Sequence, residues 1–331
     1  MVRAPRMAET ATARPDVVPR EDAPRDVDTT ALLAAAYRAI TASRLLAARL
    51  AASPRVGFWP GSVGDEGAQV GAALALRDGD WLFPSQRDVA ASLARGATIA
   101  RVVHQAYGTS QDPGRARQAP GAVADVALRI VSPSAPTGGH LTHAAGVAWA
   151  ARGRGEGLVA LALFGEGLLD AAEIHNALNF AGVFRAPLIA VCKNAAADRG
   201  VDAEGHAVAY GVASLRCDGA DVLAVVEGVR SAIAHAAAGG GPTLIECLVH
   251  RAPTEGELDR ARDPAVRLRG HLGRLGVAVD AIERAAGAEV DAAIAIAEGA
   301  SPPDPASLFD DVYEKLPAHL TEQRAALLAD R

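Results

Sequence analysis

The sequence predicts an α/β fold, a doubly wound parallel sheet covered by helices, and three observations predict it. Residues 158–164 and 187–192 form short, continuous apolar runs and 243–249 a mostly apolar one, the pattern of strands buried on both faces. Segments of helical length and spacing, 170–183 and 221–238, lie between them, and alternating strand and helix implies parallel pairing. The first two runs end at Gly165-Glu166-Gly167 and in a loop over 193–200. Right-handed crossovers bring both turns to the same carboxyl edge, where such sheets hold ligands.

The elements follow in order. Residues 1–28 are rich in Arg and Pro but carry Glu9, Asp16, Glu21, Asp22, Asp26 and Asp28, which fits a disordered arm rather than an acid-poor presequence. Residues 29–331 then read as a single α/β domain with a helical C-terminal part. Thr30 caps a predicted helix with Leu32, Leu33, Tyr37, Ile40, Leu45 and Leu50 at helical spacing, ending near Ser53-Pro54. A Gly/Pro-rich stretch, 57–64, precedes a short helix from about 65 to 76. Ser85 is read as opening a helix that carries Arg87 and closes at Gly96. Residues 108–139 have little periodicity and many Gly and Pro, a long irregular segment of the kind that usually serves function. A helix from Gly138 to Arg152 opens the alternating region, and helices near 264–275 and 279–297 follow it. A last helix comes after the Pro-rich connection 301–305.

Composition narrows the function classes. Half of the 331 residues are apolar, enough for a sizeable core. The net charge is −6, the signs are interspersed, and the lysines are Lys193 and Lys315 alone, so a nucleic-acid partner is not expected. Cys192, Cys217 and Cys247 show neither a disulfide framework nor metal spacing, which fits a reducing, cytoplasmic location. Gly, Arg, Asp or His interrupt every apolar run, so no membrane span is expected.

The turn after residue 164 carries chemistry. A glycine turn following a buried strand lets backbone amides and a helix N-terminus approach a diphosphate. His140-Leu-Thr-His-Ala-Ala-Gly146, Glu173 to Pro187, Asp218-Gly219-Ala-Asp221 and Gly241-Pro242-Thr-Leu-Ile-Glu246 accompany it in a fixed order. Together these blocks resemble the alpha subunit of the thiamine diphosphate-dependent decarboxylating component of 2-oxoacid dehydrogenase complexes, of the pyruvate or branched-chain type, over roughly Leu32 to Tyr313.

The resemblance implies a thiamine diphosphate-binding fold, with thiamine diphosphate and Mg²⁺ as cofactors. It implies oxidative decarboxylation of a 2-oxoacid with acyl transfer to a lipoyl carrier. The implied partners are a beta subunit, in a heterotetramer or with a homodimer as the alternative, and a lipoyl acyltransferase core. Carried over position by position, Gln86 and Arg87 hold diphosphate, Gly165, Glu166, Gly167 and Leu168 form its turn, and Lys193 and Asn194 stand in the facing loop. Glu166 and Asn194 are the candidate Mg²⁺ ligands. The family's metal-binding asparagine falls at Ala195, so Asn194 reaches the metal only through a one-residue slip, and Asp198 only through a folded-back loop. Histidines that the family places near substrate fall at Pro60, Val89 and residues 253–255. His140, His143, His175, His206 and His250 do not obviously replace them. Two readings stay open: a working enzyme subunit, and a non-catalytic paralogue that keeps the fold and the assembly surfaces.

Overall fold

The computed structural model describes residues 27–133, 137–251 and 258–329. In chain order these form α1 (Val27–Ala51), α2 (Glu66–Ala75), β1 (Trp81–Phe83), α3 (Val89–Ala94), α4 (Ile99–Tyr107), α5 (Gly139–Gly153) and β2 (Ala160–Gly165). After a 3-10 turn at Glu166–Leu168 come α6 (Ala172–Phe184), β3 (Leu188–Asn194), α7 (Ala203–Ala209), β4 (Ala213–Asp218), α8 (Val222–Ala237) and β5 (Thr243–Leu248). The chain ends with α9 (Pro264–Arg274), α10 (Val279–Glu298) and α11 (Ala318–Ala329).

The five strands are all parallel, in the order β1-β2-β3-β5-β4. Successive strand residues face opposite sides, and each side has its own core. Ala160, Ala162 and Phe164 of β2, with Leu188, Ala190 and Cys192 of β3, pack under α5 and α6. Leu161, Leu163, Ile189 and Val191 turn the other way, into the core built with α1, α2, α8 and α10. The register pairs Gly165 with Lys193 and Asn194 with Leu248, so the turn after β2 and the end of β3 share the carboxyl edge as expected.

α1 is long and apolar enough to cross a membrane by length and composition. It is nonetheless a core helix here: Leu33, Ile40, Leu46 and Leu50 are buried, while Arg38, Arg44 and Arg49 reach Glu289, Glu66 and Asp291. Arg44 forks between Glu66 and Asp263, the latter a cap of α9, and so ties α1 to the starts of α2 and α9.

Several expectations need correction. Ser85 does not open a helix. Its backbone N and Oγ both donate to Asp88 Oδ2, at 2.7 and 2.6 Å, and that local turn delays α3 to Val89, leaving Gln86 and Arg87 in the turn. α1 begins at Val27, ahead of Thr30, so the expected boundary of the arm at residue 28 already lies in a helix; residues 1–26 lie outside the described part. Strands β1 and β4 and helices α4 and α7 went unassigned. β1 is apolar but only three residues long, and β4 is an edge strand whose mostly half-buried residues mix polar and apolar types.

Gly67 supplies a test of this packing. A Cβ there would sit 2.4 Å from the Gly219 carbonyl oxygen, a backbone atom of the β4–α8 turn. Gly67→Ala is expected to lose about 1–3 kcal/mol of stability in urea denaturation. Gly146→Ala, whose Cβ meets nothing within 4 Å, is expected to hold or gain up to about 1 kcal/mol from helix propensity.

Candidate functional site

The carboxyl edge of β3 is organised around a buried ammonium. Lys193 follows Ile189 and Val191 in the strand's alternation, so its side chain projects beneath α2 and α3 rather than into solvent. Only 2% of it is exposed, and its Nζ is ion-paired with Asp88, with Asp65 Oδ2 at 3.7 Å. Asp65 and Asp88 stand at the N-cap positions of α2 and α3, yet neither side chain caps its helix. Asp88 divides its oxygens between Lys193 and Ser85.

Arg251, just beyond β5, completes the cluster. Its Nε donates to Asp65 Oδ1 at 3.0 Å, Nη1 to Glu166 Oε1 at 2.9 Å and Nη2 to the Lys193 carbonyl at 3.2 Å. Burial works against the charged guanidinium, but the Asp65 and Glu166 carboxylates outweigh it and hold Arg251 above its ordinary pKa. Glu166 Oε2 is buried without a hydrogen-bond partner.

Asn194 lies one residue further and therefore on the opposite face. Its Oδ1 accepts from Ala196 N at 2.8 Å, and its Nδ2 donates to Val201 O at 2.9 Å and to the fully buried Glu246 at 2.6 Å. The other Glu246 oxygen accepts from Arg216 Nε at 2.8 Å. Asp202, Glu204 and Glu246 cluster closely enough to hold a metal ion, but the Arg216 guanidinium lies within 4.0 Å of all three. An internal cation already serves that cluster.

The other expected site residues spread around this edge. Gly165 and Glu166 are half-buried, Gly167 is exposed with open space over its α-carbon, and Leu168 packs against the α5–α6 core. Arg87 is exposed and donates to the Gly61 carbonyl at 2.8 Å, while Gln86 donates to the Pro120 carbonyl at 2.9 Å. Ala195 packs at the margin of the α1–α2 core, and Asp198 is exposed in a 3-10 turn. Residues 253–255 lie outside the described part.

Among the histidines, His140 is buried and its Nε2 donates to the Leu163 carbonyl at 2.8 Å; burial lowers its pKa, so it packs as a neutral ring. His175 pairs with the Tyr210 hydroxyl at 3.0 Å, and His250 accepts from Arg262 at 3.2 Å. His206 bridges Asp202 O and Asp170, and His143 is exposed. Pro60 and Val89 are buried.

Sequence reasoning missed Asp65, Asp88 and Arg251. The two aspartates each precede a helix and read as ordinary caps, and Arg251 gains a role only when β5 ends beside β3.

Residues 37–306 match the family described as the dehydrogenase E1 component. The chain belongs to this family. It is 31% identical to the mitochondrial 2-oxoisovalerate dehydrogenase subunit alpha of Bos taurus over 82% of this chain and 66% of that protein, just under two thirds of its length. The subunit alpha of Bacillus subtilis is 32% identical over 84% of this chain and 94% of its own. In fold, the chain is similar to a transketolase from Pichia stipitis solved with sedoheptulose-7-phosphate, at a TM-score of 0.53 and 15% identity over 80% of this chain and 45% of that one.

The family's cofactors are thiamine diphosphate and a metal, normally Mg²⁺. The residues of this E1-family chain do not fit the metal. Mg²⁺ demands about six oxygens near 2.0–2.1 Å in octahedral array. Ala195 offers no side-chain oxygen, Asn194 faces the other side of the sheet, and one Glu166 oxygen is held by Arg251. Among the described residues, Glu166 Oε2 is a buried carboxylate oxygen left without a partner at the turn.

His140 gives this edge a pH signature. Its folded pKa is depressed, so between that value and about 6.5 the unfolded chain binds the extra proton and stability rises with pH. In His140→Gln that contribution is absent. The stability advantage of the unaltered protein over the variant is expected to be largest near about pH 7.5 and to shrink toward about 5.5 in denaturation at each pH.

Proposed function

We propose that this chain is the alpha-type subunit of a 2-oxoacid dehydrogenase E1 assembly, joined to a beta-type subunit in a heterotetramer, and that it contributes structure and assembly surfaces rather than a metal-dependent centre. The branched-chain 2-oxoacids are the substrate class of that assembly, supported by relatives named 2-oxoisovalerate dehydrogenase subunit alpha. The observation that carries the reading is the opposed placement at the end of β3: Lys193 fills the Asp65–Asp88 side of the sheet, while Asn194 is spent on Glu246 and Ala196 on the other.

The assembly surface has its own support. Trp149 of α5 and Phe180 and Phe184 of α6 meet in edge-on and tilted contacts at centroid separations of 4.6–6.0 Å. Trp149 is 49%, Phe184 46% and Val183 68% exposed, an apolar patch of the kind that marks protein contacts. A lipoyl acyltransferase core is the further partner of the assembled component. A reducing, cytoplasmic setting belongs to the same reading, supported by three buried cysteines standing as free thiols.

Co-purification with a beta-type subunit, followed by sedimentation, tests this. A stable complex without Mg²⁺-dependent turnover of 2-oxoisovalerate is expected, and Trp149→Glu is expected to dissociate it while leaving the thermal transition of the isolated chain in place. Mg²⁺-dependent turnover by the unaltered complex would restore the enzyme reading. A chain that sediments as monomer with every beta-type candidate would reject the assembly reading.

A further inference from the structure

Two side-chain cations lie within the carboxylate cluster of this edge. At the carboxyl edge three carboxylates converge, from Asp65, Asp88 and Glu166, brought by the starts of α2 and α3 and the end of β2. Such a convergence invites a divalent cation. Here two side-chain cations sit within it: Lys193 between Asp88 and Asp65, and Arg251 between Asp65 and Glu166. Arg251 also grips the Lys193 carbonyl, so the two cations are joined through the backbone of β3.

We propose that Lys193 and Arg251 are the resident counter-ions of this edge, replacing a divalent metal as the element that orders it, and that they exclude Mg²⁺ from it. The proposal deepens the assembly reading by naming what keeps the cofactor edge folded when no metal does.

Charge, geometry and burial each support it. Three carboxylates against two cations leave the cluster at −1, so a divalent ion added without displacing either cation would make it +1 inside the protein. Lys193 cannot swing away to water: its side chain is 2% exposed, and its strand is in register with β5 through Asn194. Removing one member of such a buried pair while leaving its partner charged is among the most destabilising changes a protein can suffer. The same pairing leaves neither cation free for a diphosphate. Arg87, exposed and bonded to the Gly61 carbonyl, carries the remaining side-chain cation among the sequence-predicted site residues.

The test follows the counter-ions directly, using the full chain alone and in its beta-containing assembly. Mn²⁺, read by electron paramagnetic resonance, serves as the metal probe, with and without thiamine diphosphate, and thermal denaturation is run in Mg²⁺ or in EDTA. For the unaltered protein the expected results are no tightly held Mn²⁺ and the same melting temperature in Mg²⁺ and EDTA. Lys193→Ala is expected to melt lower in EDTA and to recover part of the loss in millimolar Mg²⁺ or Mn²⁺, because Asp65 and Asp88 are then open to a metal. Lys193→Ala combined with Asp88→Asn and Asp65→Asn is expected to show no such recovery. Should Lys193→Ala fail to fold, Arg251→Gln, at a half-exposed position, is the second variant: its lowered melting temperature is expected to rise in Mg²⁺. Tight Mn²⁺ binding by the unaltered protein, or a melting temperature that falls in EDTA, would overturn the proposal. So would an absence of metal rescue in whichever variant folds. These readouts are independent of whether a beta-type partner is found, so failure here and failure of the assembly reading are separate results.

Discussion

A lysine buried at the end of a central strand constrains everything around it. An ammonium removed from water is sustained only by carboxylates that approach it, so Lys193 dictates where Asp88 and Asp65 point. Asp88 in turn bends Ser85 to Arg87 into a turn and delays α3, and Asp65 orients Arg251, which reaches Glu166. The starts of α2 and α3 and the ends of β2, β3 and β5 are thereby joined at one edge. The corresponding Asp caps of α8 and α9, Asp221 and Asp263, do hydrogen-bond their helix amides, which shows what Asp65 and Asp88 forgo.

Strand alternation converts this into a functional consequence. Two adjacent polar residues at the end of a strand cannot both face the same ligand, because each residue reverses side. With β3 paired to β5 through Asn194, Lys193 is directed to the Asp65–Asp88 side and Asn194 to Glu246 and Arg216. A slip of one residue would bring Asn194 around, but it would also push Lys193 toward the apolar α5–α6 core and strip Glu246 of a hydrogen-bond partner. The register is therefore locked from both faces of the sheet.

Two clusters of acidic residues, one on each side of the sheet, are partly compensated by side-chain cations. On one side Lys193 and Arg251 serve Asp65, Asp88 and Glu166; on the other Arg216 serves Asp202, Glu204 and Glu246. In a family whose cofactors include a divalent metal, side-chain cations already occupy the carboxylates of this edge. The same frame presents the exposed aromatic group of α5 and α6, the surface proposed above for assembly.

The sequence by itself determined the α/β class, the three central strands, the shared edge of Glu166 and Asn194, and the family. Each rests on local signals, continuous apolar runs and glycine turns, that survive without knowledge of neighbours. It also showed that Ala195 has no side-chain oxygen to give and that Lys193 brings a cation to that loop. The tertiary structure alone decided the rest. Asp65, Asp88 and Arg251 lie at least 58 residues from Lys193 along the chain and meet it only through the packing of α2, α3 and β5 on β3. β1, only three residues long, and β4, of mixed polarity, are strands because β2 and β5 offer them edges. Which face Asn194 occupies depends on a register set by the neighbouring strand, and pairing between distant strands is a quantity no local pattern contains.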